Sequence, residues 1–323
     1  AMAQGLAWTA PYMQAGKEKV VCVLPLFHIY ALTAIMLNSM NNGNQLILYP
    51  RPDIDMIVKD LATKKPTFLP GVPTLYTAIN KHPKAQGLDL SSLKICMSGG
   101  APLPVEVQQS FEKLTGATLI EGYGLTETSP TGSICPVDKS ARRVGSCGVP
   151  IVGTLIEIRD MNDPGKVLPP GKQNVGEVCI IGPQIMKGYW NRPDADAQVF
   201  VGEFLRTGDV GEVDDDGYVR IVDRLKDMIA VGGFKVFPSQ VESVLYHHES
   251  VKEALVIGVP DRYRGEQPKA FVTLNDGHEI DGPALKEWVN PQLGKHERVC
   301  DVEVRLNLPK TLVGKLSRKE LVA

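Results

Sequence analysis

Several common signatures are missing from this 323-residue sequence. No two cysteines stand at Cys-x-x-Cys spacing and no histidine stands at zinc-ligand spacing, so a disulfide framework and a zinc ribbon are excluded. The six cysteines (Cys22, Cys96, Cys135, Cys147, Cys179, Cys300) are scattered and are expected to be buried thiols in a reducing compartment, the cytoplasm. Charge of one sign is missing too: 35 basic against 37 acidic residues leave a net charge of -2, and no nucleic acid is expected as a partner. Ala1 to Gln14 lacks a basic start and an apolar core, so no secretory signal is expected. The one run long enough to suggest a membrane span, Val20 to Leu37, is broken by Pro25, His28 and Thr33. It predicts a buried strand, a turn and an apolar helix instead.

What is present is ordinary globular material, 43% hydrophobic and 22% charged, enough for two or three domains. From Leu46 to Glu121 strands and helices alternate. Strands are expected at Leu46 to Tyr49, Thr67 to Leu69, Leu93 to Met97 and Thr118 to Glu121; helices are expected over Asp53 to Ala62, from Pro73, and after Pro104, the last stopped by Gly116. This alternation predicts a doubly wound parallel sheet covered on both faces, with ligands at the carboxyl ends of its strands. Two glycine-bearing turns leave such ends, Ser98 to Pro104 and Gly122 to Glu127, and they are expected side by side along one crevice.

The second turn lies in Glu121 to Pro130, Glu-Gly-Tyr-Gly-Leu-Thr-Glu-Thr-Ser-Pro. Its residue types suit a nucleotide: Tyr123 can stack on a base, Thr126 can hydrogen-bond a phosphate, and Glu127 can hold a phosphate-borne Mg2+. Taken alone the same letters also fit a plain turn.

Beyond Ser140, short strands punctuated by Gly and Pro predict a small antiparallel barrel or sheet, with strands at Gly145 to Gly153, Thr154 to Arg159 and Gly176 to Ile181. Asp209 follows Gly208 in an expected tight turn, where its carboxylate could either clasp ribose hydroxyls or close the turn. The charged link Asp223 to Asp227 is the best domain boundary. After it, a turn at Gly232-Gly233, a helix from Pro238, two strands, a helix over Pro283 to Leu293 and a final strand predict a small α+β domain. The expected division is therefore 1–140 (partial α/β), 141–222 (barrel-like), 223–227 (hinge) and 228–323 (mobile α+β). The end is a lysine-rich tail, Leu308 to Leu321, which contains Pro309-Lys310-Thr311-Leu312-Val313-Gly314-Lys315 and Arg318 and reads by itself as a solvated face.

Taken in order, these stretches resemble the adenylate-forming superfamily of acyl-CoA synthetases, most of all the bacterial long-chain fatty-acid-CoA ligases. The stretches that carry the resemblance are Pro25 to Leu32, Ser98 to Pro102, Tyr123 to Glu127, Gly188-Tyr189-Trp190-Asn191-Arg192-Pro193, Thr207-Gly208-Asp209, Asp223 to Asp227, and Pro309 to Lys315. The resemblance implies an ATP-dependent ligase that activates a medium- or long-chain fatty acid as acyl-AMP and then transfers the acyl group to coenzyme A. It implies that Tyr123 and Gly124 meet adenine beside Gly99, Gly100, Ala101 and Pro102. Thr126 would touch the α-phosphate, Glu127 would hold Mg2+, and Asp209 and Arg224 would bind the ribose. His28, Gly71, Val72 and Thr128 would line the acyl pocket, Lys226 would be the hinge, Gly232 and Gly233 would let the pantetheine arm approach, and Lys315 would be the adenylation lysine. Attack by an ionised carboxylate needs no general base, so His28 is expected as a gate or wall. Peripheral contact with the inner face of the membrane, to obtain fatty acid, is a further expectation.

The sequence departs from the family pattern in places. Nothing resembles the Ser/Thr/Gly-rich loop that wraps the β- and γ-phosphates, so the likeness covers the second part of a longer protein and this fragment alone is expected to be inactive. Glu297 and Val299 stand where Lys and Pro are common. Alternatives are a ligase for another carboxylic acid or a carrier-protein acceptor, and a non-catalytic AMP-binding fragment.

Overall fold

The structure is a computed structural model, and it describes residues 1–311 and 315–321. Leu312, Val313 and Gly314 of the last sequence motif lie outside the described residues. Two compact units are present: residues 1–207 with 212–221, and residues 208–211 with 222–323.

The first unit opens with helix α1 (Met2–Thr9) and is built on a seven-stranded sheet in the order β2-β1-β3-β4-β5-β6-β7. Its strands are β1 (Lys19–Cys22), β2 (Gln45–Leu48), β3 (Phe68–Gly71), β4 (Ile95–Gly99), β5 (Thr118–Tyr123), β6 (Ser133–Ile134) and β7 (Val149–Pro150). The first five are parallel, and β6 and β7 join antiparallel. Alternate side chains go to opposite faces, as the pleat requires. Val21, Leu69, Cys96 and Leu119 pack with Ile57, Val58 and Leu61 of α3 (Ile54–Thr63), Tyr76 and Ile79 of α4 (Pro73–Lys81), and Phe111 of α5 (Val105–Thr115). Val20, Cys22, Phe68, Ile95 and Ile120 pack on the other face with Tyr30, Ala31 and Ile35. The apolar helix expected after Pro25 is a π-helix, Tyr30–Leu37, running on into the short α2 (Asn38–Asn41).

Local chemistry sets the helix ends. Asp53 caps α3, its carboxylate accepting from the Met56 amide at 3.0 Å, Pro73 opens α4, and Gly116 ends α5 in the left-handed region at φ 74°.

A second, six-stranded sheet has the order β11-β12-β10-β8-β9 with β13 beside β12. Its strands are β8 (Leu155–Arg159), β9 (Val167–Leu168), β10 (Gly176–Ile181), β11 (Phe200–Val201), β12 (Phe204–Val213) and β13 (Val219–Arg224), with α6 (Pro193–Val199) before β11. Ile156, Ile158, Val178, Ile180 and Val219 form its core. Of the stretch 145–153 only β7 is strand; Gly145, Gly148 and Gly153 all have φ between 74° and 84°, which favours turns over extended backbone.

The second unit is a five-stranded sheet, β15-β14-β17-β16 with β18 parallel to β17. Its elements are β14 (Ile229–Val231), β15 (Phe234–Val236), α7 (Pro238–Tyr246), β16 (Val251–Asp261), β17 (Gly265–Leu274), α8 (Gly282–Val289) and β18 (Asp301–Val304). Val241 and Leu245 of α7 and Leu285 and Val289 of α8 pack on one face. Leu308, Leu316 and Leu321 lie with Leu255, Ile257 and Phe271 on the other. Five cysteines are buried thiols as expected, whereas Cys300, just before the edge strand β18, is only partly buried. Among the described residues no helix is long and apolar enough to cross a membrane.

Candidate functional site

Neighbouring parallel strands bring the two glycine turns together. In the register of β3, β4 and β5, Gly71 pairs with Ser98, Ser98 with Glu121, and Gly99 with Gly122. The segments 99–102 and 123–127 therefore leave the sheet side by side at its carboxyl edge. Gly99 is buried, and a Cβ there would meet the Tyr30 ring at 3.1 Å. Tyr30 itself is buried, its hydroxyl donating to the Met97 carbonyl at 2.9 Å. Gly100 follows at φ 82°, while Ala101 is half-buried and Pro102 exposed.

Tyr123, the last residue of β5, is half-buried and packs on the core of the second sheet, against the cluster of Ile156, Val178 and Ile180. Gly124 then admits no side chain, since a Cβ would lie 1.9 Å from the Pro130 carbonyl oxygen. A short 3-10 turn, Thr126–Thr128, comes next. Thr128 is buried, and its hydroxyl both accepts from the Leu125 amide at 2.8 Å and donates to the Leu125 carbonyl at 3.0 Å. Thr126 is exposed, and Glu127 is half-buried. Glu127 accepts a 2.7 Å hydrogen bond from the Tyr189 hydroxyl, and its carbonyl accepts from the Met186 amide at 2.9 Å. Burial, then the Glu127 carboxylate, push the Tyr189 phenol up to about 12. At the root of the turn the Glu121 carboxyl is pushed up to about 8 by desolvation, with the Leu103 backbone amide pulling the other way.

A small cavity of about 50 Å³ lies beside this turn, bounded by Trp8, Tyr30, Phe68, Met97, Thr128 and Gln184 among others. Thr128 is on its wall; His28, Gly71 and Val72 are not. His28 is half-buried in the Pro25 to Tyr30 turn, its Nδ1 accepting from the Tyr30 amide at 3.2 Å, next to a Phe27 that is 76% exposed.

In the second unit, Asp209 is buried and lies 3.5 Å from the Arg224 guanidinium. The expected tight turn before Asp209 is instead a strand interior: β12 runs unbroken from Phe204 to Val213, and Gly208 at φ 71° bends it without ending it, as glycine does at a bulge. Asp223 and Arg224 close β13, and only Leu225–Asp227 forms the connecting 3-10 turn, with Lys226 exposed. The Lys315 amine is held below its usual value by burial and by Arg224, with Asp209 acting oppositely. Gly232 (φ 58°) and Gly233 (φ 86°) form the tip of the β14–β15 hairpin, fully exposed and open around both Cα atoms.

Sequence reading missed Tyr189 as a partner of Glu127. The Gly-Tyr-Trp-Asn-Arg-Pro stretch that contains it stood out, but nothing in its letters says which carboxylate the phenol meets 62 residues away.

A parallel sheet with two glycine turns at its carboxyl edge, followed by an antiparallel sheet and a small α+β unit, is the architecture of the adenylate-forming enzymes. The sequence pattern of AMP-binding enzymes matches residues 1–190, and that of the AMP-binding enzyme C-terminal domain matches residues 240–315. The chain belongs to the family of AMP-binding enzymes. It is 43% identical over 310 residues to a long-chain-fatty-acid--CoA ligase of Bacillus subtilis (strain 168), covering 96% of this chain and 55% of that protein. To a feruloyl-CoA synthase of Amycolatopsis sp it is 38% identical, over 95% of this chain and 62% of the other. Crystalline ATP-bound MatB from Rhodopseudomonas palustris superposes with a TM-score of 0.91 at 30% identity, covering 99% of this chain and 62% of that one. The chain thus spans about half the length of the long-chain ligase it matches.

Proposed function

We propose that this chain forms the adenylate-handling part of an ATP-dependent acyl-CoA ligase for medium- or long-chain fatty acids. The observation that carries the reading is the pairing of Gly99 with Gly122, which sets two glycine turns side by side with Tyr123 and Glu127 at their mouth. In this reading the fatty-acid carboxylate attacks the α-phosphorus of ATP, pyrophosphate leaves, and the acyl-AMP carbonyl is then attacked by the thiol of coenzyme A, with AMP as leaving group. Tyr123, seated on the second sheet's core, offers a ring face to adenine beside Gly99, Gly100, Ala101, Pro102 and Gly124. The exposed Thr126 hydroxyl is free to reach the α-phosphate. Asp209, its charge balanced by Arg224, accepts hydrogen bonds from the ribose hydroxyls. Lys315 brings an ammonium to the developing negative charge on the α-phosphate, and a phosphate beside it would restore its charged form. His28, Gly71, Val72 and Thr128 serve the acyl end, and Gly232 and Gly233 leave room for the pantetheine arm.

Mg2+ fits this donor set. Among the described residues no three metal-ligating side chains cluster, and a single carboxylate such as Glu127 is what a cation carried in by phosphates and waters requires. When bound it supplies positive charge to the phosphate oxygens. Lys226 is the hinge in this reading, because the 3-10 turn 225–227 is the short segment between β13 and β14.

The fatty-acid choice follows the long-chain ligase likeness. An aryl acid is the second reading, supported by the 38% identity to a feruloyl-CoA synthase. Calorimetric titration with AMP and with non-hydrolysable hexadecanoyl- and feruloyl-adenylate analogues separates them. The hexadecanoyl analogue is expected to bind at least about tenfold more tightly than AMP, roughly 1.4 kcal/mol. Tighter binding of the feruloyl analogue would transfer the assignment to aryl acids, and equal binding of all three would leave a bare AMP site.

A further inference from the structure

The C-terminal tail reads in sequence as a solvated basic run, yet its described residues, 309–311 and 315–321, are held by hydrogen bonds and apolar packing within the second unit. The Thr311 amide donates to the Lys315 carbonyl at 2.7 Å, the Ser317 amide donates to the Pro309 carbonyl at 2.9 Å, and Lys310 bridges to Leu316. Lys315 is thus tied by its backbone to Thr311. Beyond it Leu316 and Leu321 give apolar adhesion to Leu255, Ile257 and Phe271, which is strong and without direction.

Direction comes from Arg318. Its side chain is 19% exposed, and its guanidinium makes three contacts on three different elements. Nε donates to the Val256 carbonyl of β16 at 3.0 Å, Nη1 to Asp227 Oδ2 of the 225–227 turn at 3.3 Å, and Nη2 to Glu242 Oε1 of α7. Glu242 also accepts from the Val256 amide at 2.7 Å. Asp223 adds a third negative charge nearby. Only a planar fork with several fixed N–H directions can serve such a set at once.

We propose that Arg318 is a positioning residue for Lys315, pinning the lysine-bearing segment to the 225–227 turn so that the place of the amine and the state of that turn are fixed together. The inference rests on reading Lys315 as the adenylation lysine for its meaning, but its geometry is independent of that reading. Two residues, Leu316 and Ser317, separate Lys315 from Arg318, so a segment released at Arg318 loses its only guanidinium fork and lets Lys315 leave the half-buried place beside Asp209 and Arg224.

The test measures the amine itself. Lysine acylation of the whole 323-residue chain is followed by mass spectrometry as a function of pH, reading the midpoint for Lys315 with the exposed Lys172 of the first unit as internal control. The groups facing Lys315 are Asp209 and Arg224, and those facing Arg318 are Asp223, Asp227 and Glu242; none of the variants removes a charge next to Lys315. Wild type is expected to show a Lys315 midpoint below that of the exposed lysines, since burial holds the amine down. In Arg318→Met the midpoint is expected to move up to that of exposed lysines, in Asp227→Asn to move the same way by less, and in Arg318→Lys to lie between. A shift at Lys315 with Lys172 unmoved supports the proposal. An unchanged Lys315 midpoint in folded Arg318→Met overturns it; if that variant does not fold, unchanged midpoints in Asp227→Asn and Arg318→Lys do so. In the catalytically complete ligase, loss of pyrophosphate exchange in Arg318→Met without a shift of the Lys315 midpoint would count against this pinning and leave the ligase reading intact.

Discussion

Tyr189 Oη lies 2.7 Å from Glu127 Oε1, donating to the carboxylate from a stretch of chain that follows the second sheet's β10. The phenol occupies one carboxylate oxygen of Glu127, and in the proposed reading the other oxygen meets Mg2+. Tyr189→Phe removes this donor and frees the carboxylate to turn. A hydrogen bond to a charged group is worth about 1.5 kcal/mol, so MgATP is expected to bind roughly tenfold more weakly. AMP without Mg2+ is expected to bind as before. Titration calorimetry of the two ligands decides it, and equal loss for both would make Tyr189 a packing residue.

Gly124→Ala places a methyl 1.9 Å from the Pro130 carbonyl oxygen and 2.8 Å from the Thr128 hydroxyl. Neither neighbour is the far end of a flexible chain, so the turn must open. A cost of about 1–3 kcal/mol is expected, as for other overpacked sites. Urea unfolding measures the stability, and loss of AMP binding in the folded variant measures the distortion. Unaltered values of both would show that the turn is loose.

Glu121 gives a pH dependence whose sign is fixed by its raised value. Desolvation moves its carboxyl from 4.5 to about 8, so the folded chain binds a proton that the unfolded chain has already released between those limits. This contribution to stability is fully present below pH 4.5, falls as pH rises, and is lost by about pH 8. Glu121→Gln keeps the shape and removes the titration. The difference in unfolding free energy, variant minus wild type, is expected to rise with pH across that window by on the order of 5 kcal/mol. A pH-independent difference would show that the carboxyl ionises as it does in water.

Lys226→Pro tests the hinge. Proline fixes φ near about -65° and removes an N–H, so the 225–227 turn is held near one orientation. In the catalytically complete ligase, acyl-AMP synthesis is expected to stay within about tenfold while thioester formation falls much further, because in the proposed reading the two half-reactions use Lys315 and Gly232-Gly233 in turn. Assaying the half-reactions separately provides the check. Equal effects on both would remove Lys226 from that role.

Signals that act over a few residues were legible. Asp53, Pro73 and Gly116 mark helix ends because capping and φ preference are local, and the structure starts or stops helices at each. The side-by-side placement of the two glycine turns was also readable, since parallel alternation forces strand carboxyl ends to one edge. What could not be read depends on partners far along the chain. Gly208 looked like a turn because its left-handed φ is also a turn conformation; only the pairing of β12 keeps the strand going. Arg318 looked solvated because its acids stand 91 and 76 residues away, at Asp227 and Glu242.

The boundary between the compact units crosses the chain three times, since residues 208–211 of β12 belong with the second unit while 212–221 belong with the first. Residues assigned to both units thus alternate along the paired strands β12 and β13. A gene cut at residue 222 would not yield the second unit whole, because Asp209 would stay with the other fragment and Arg224 would lose its counterion. Fragment complementation across such a cut would have to bring β12 and β13 back into register before Asp209 and Arg224 could meet again, so recovery of that ion pair would report directly on the mending of the strand pairing.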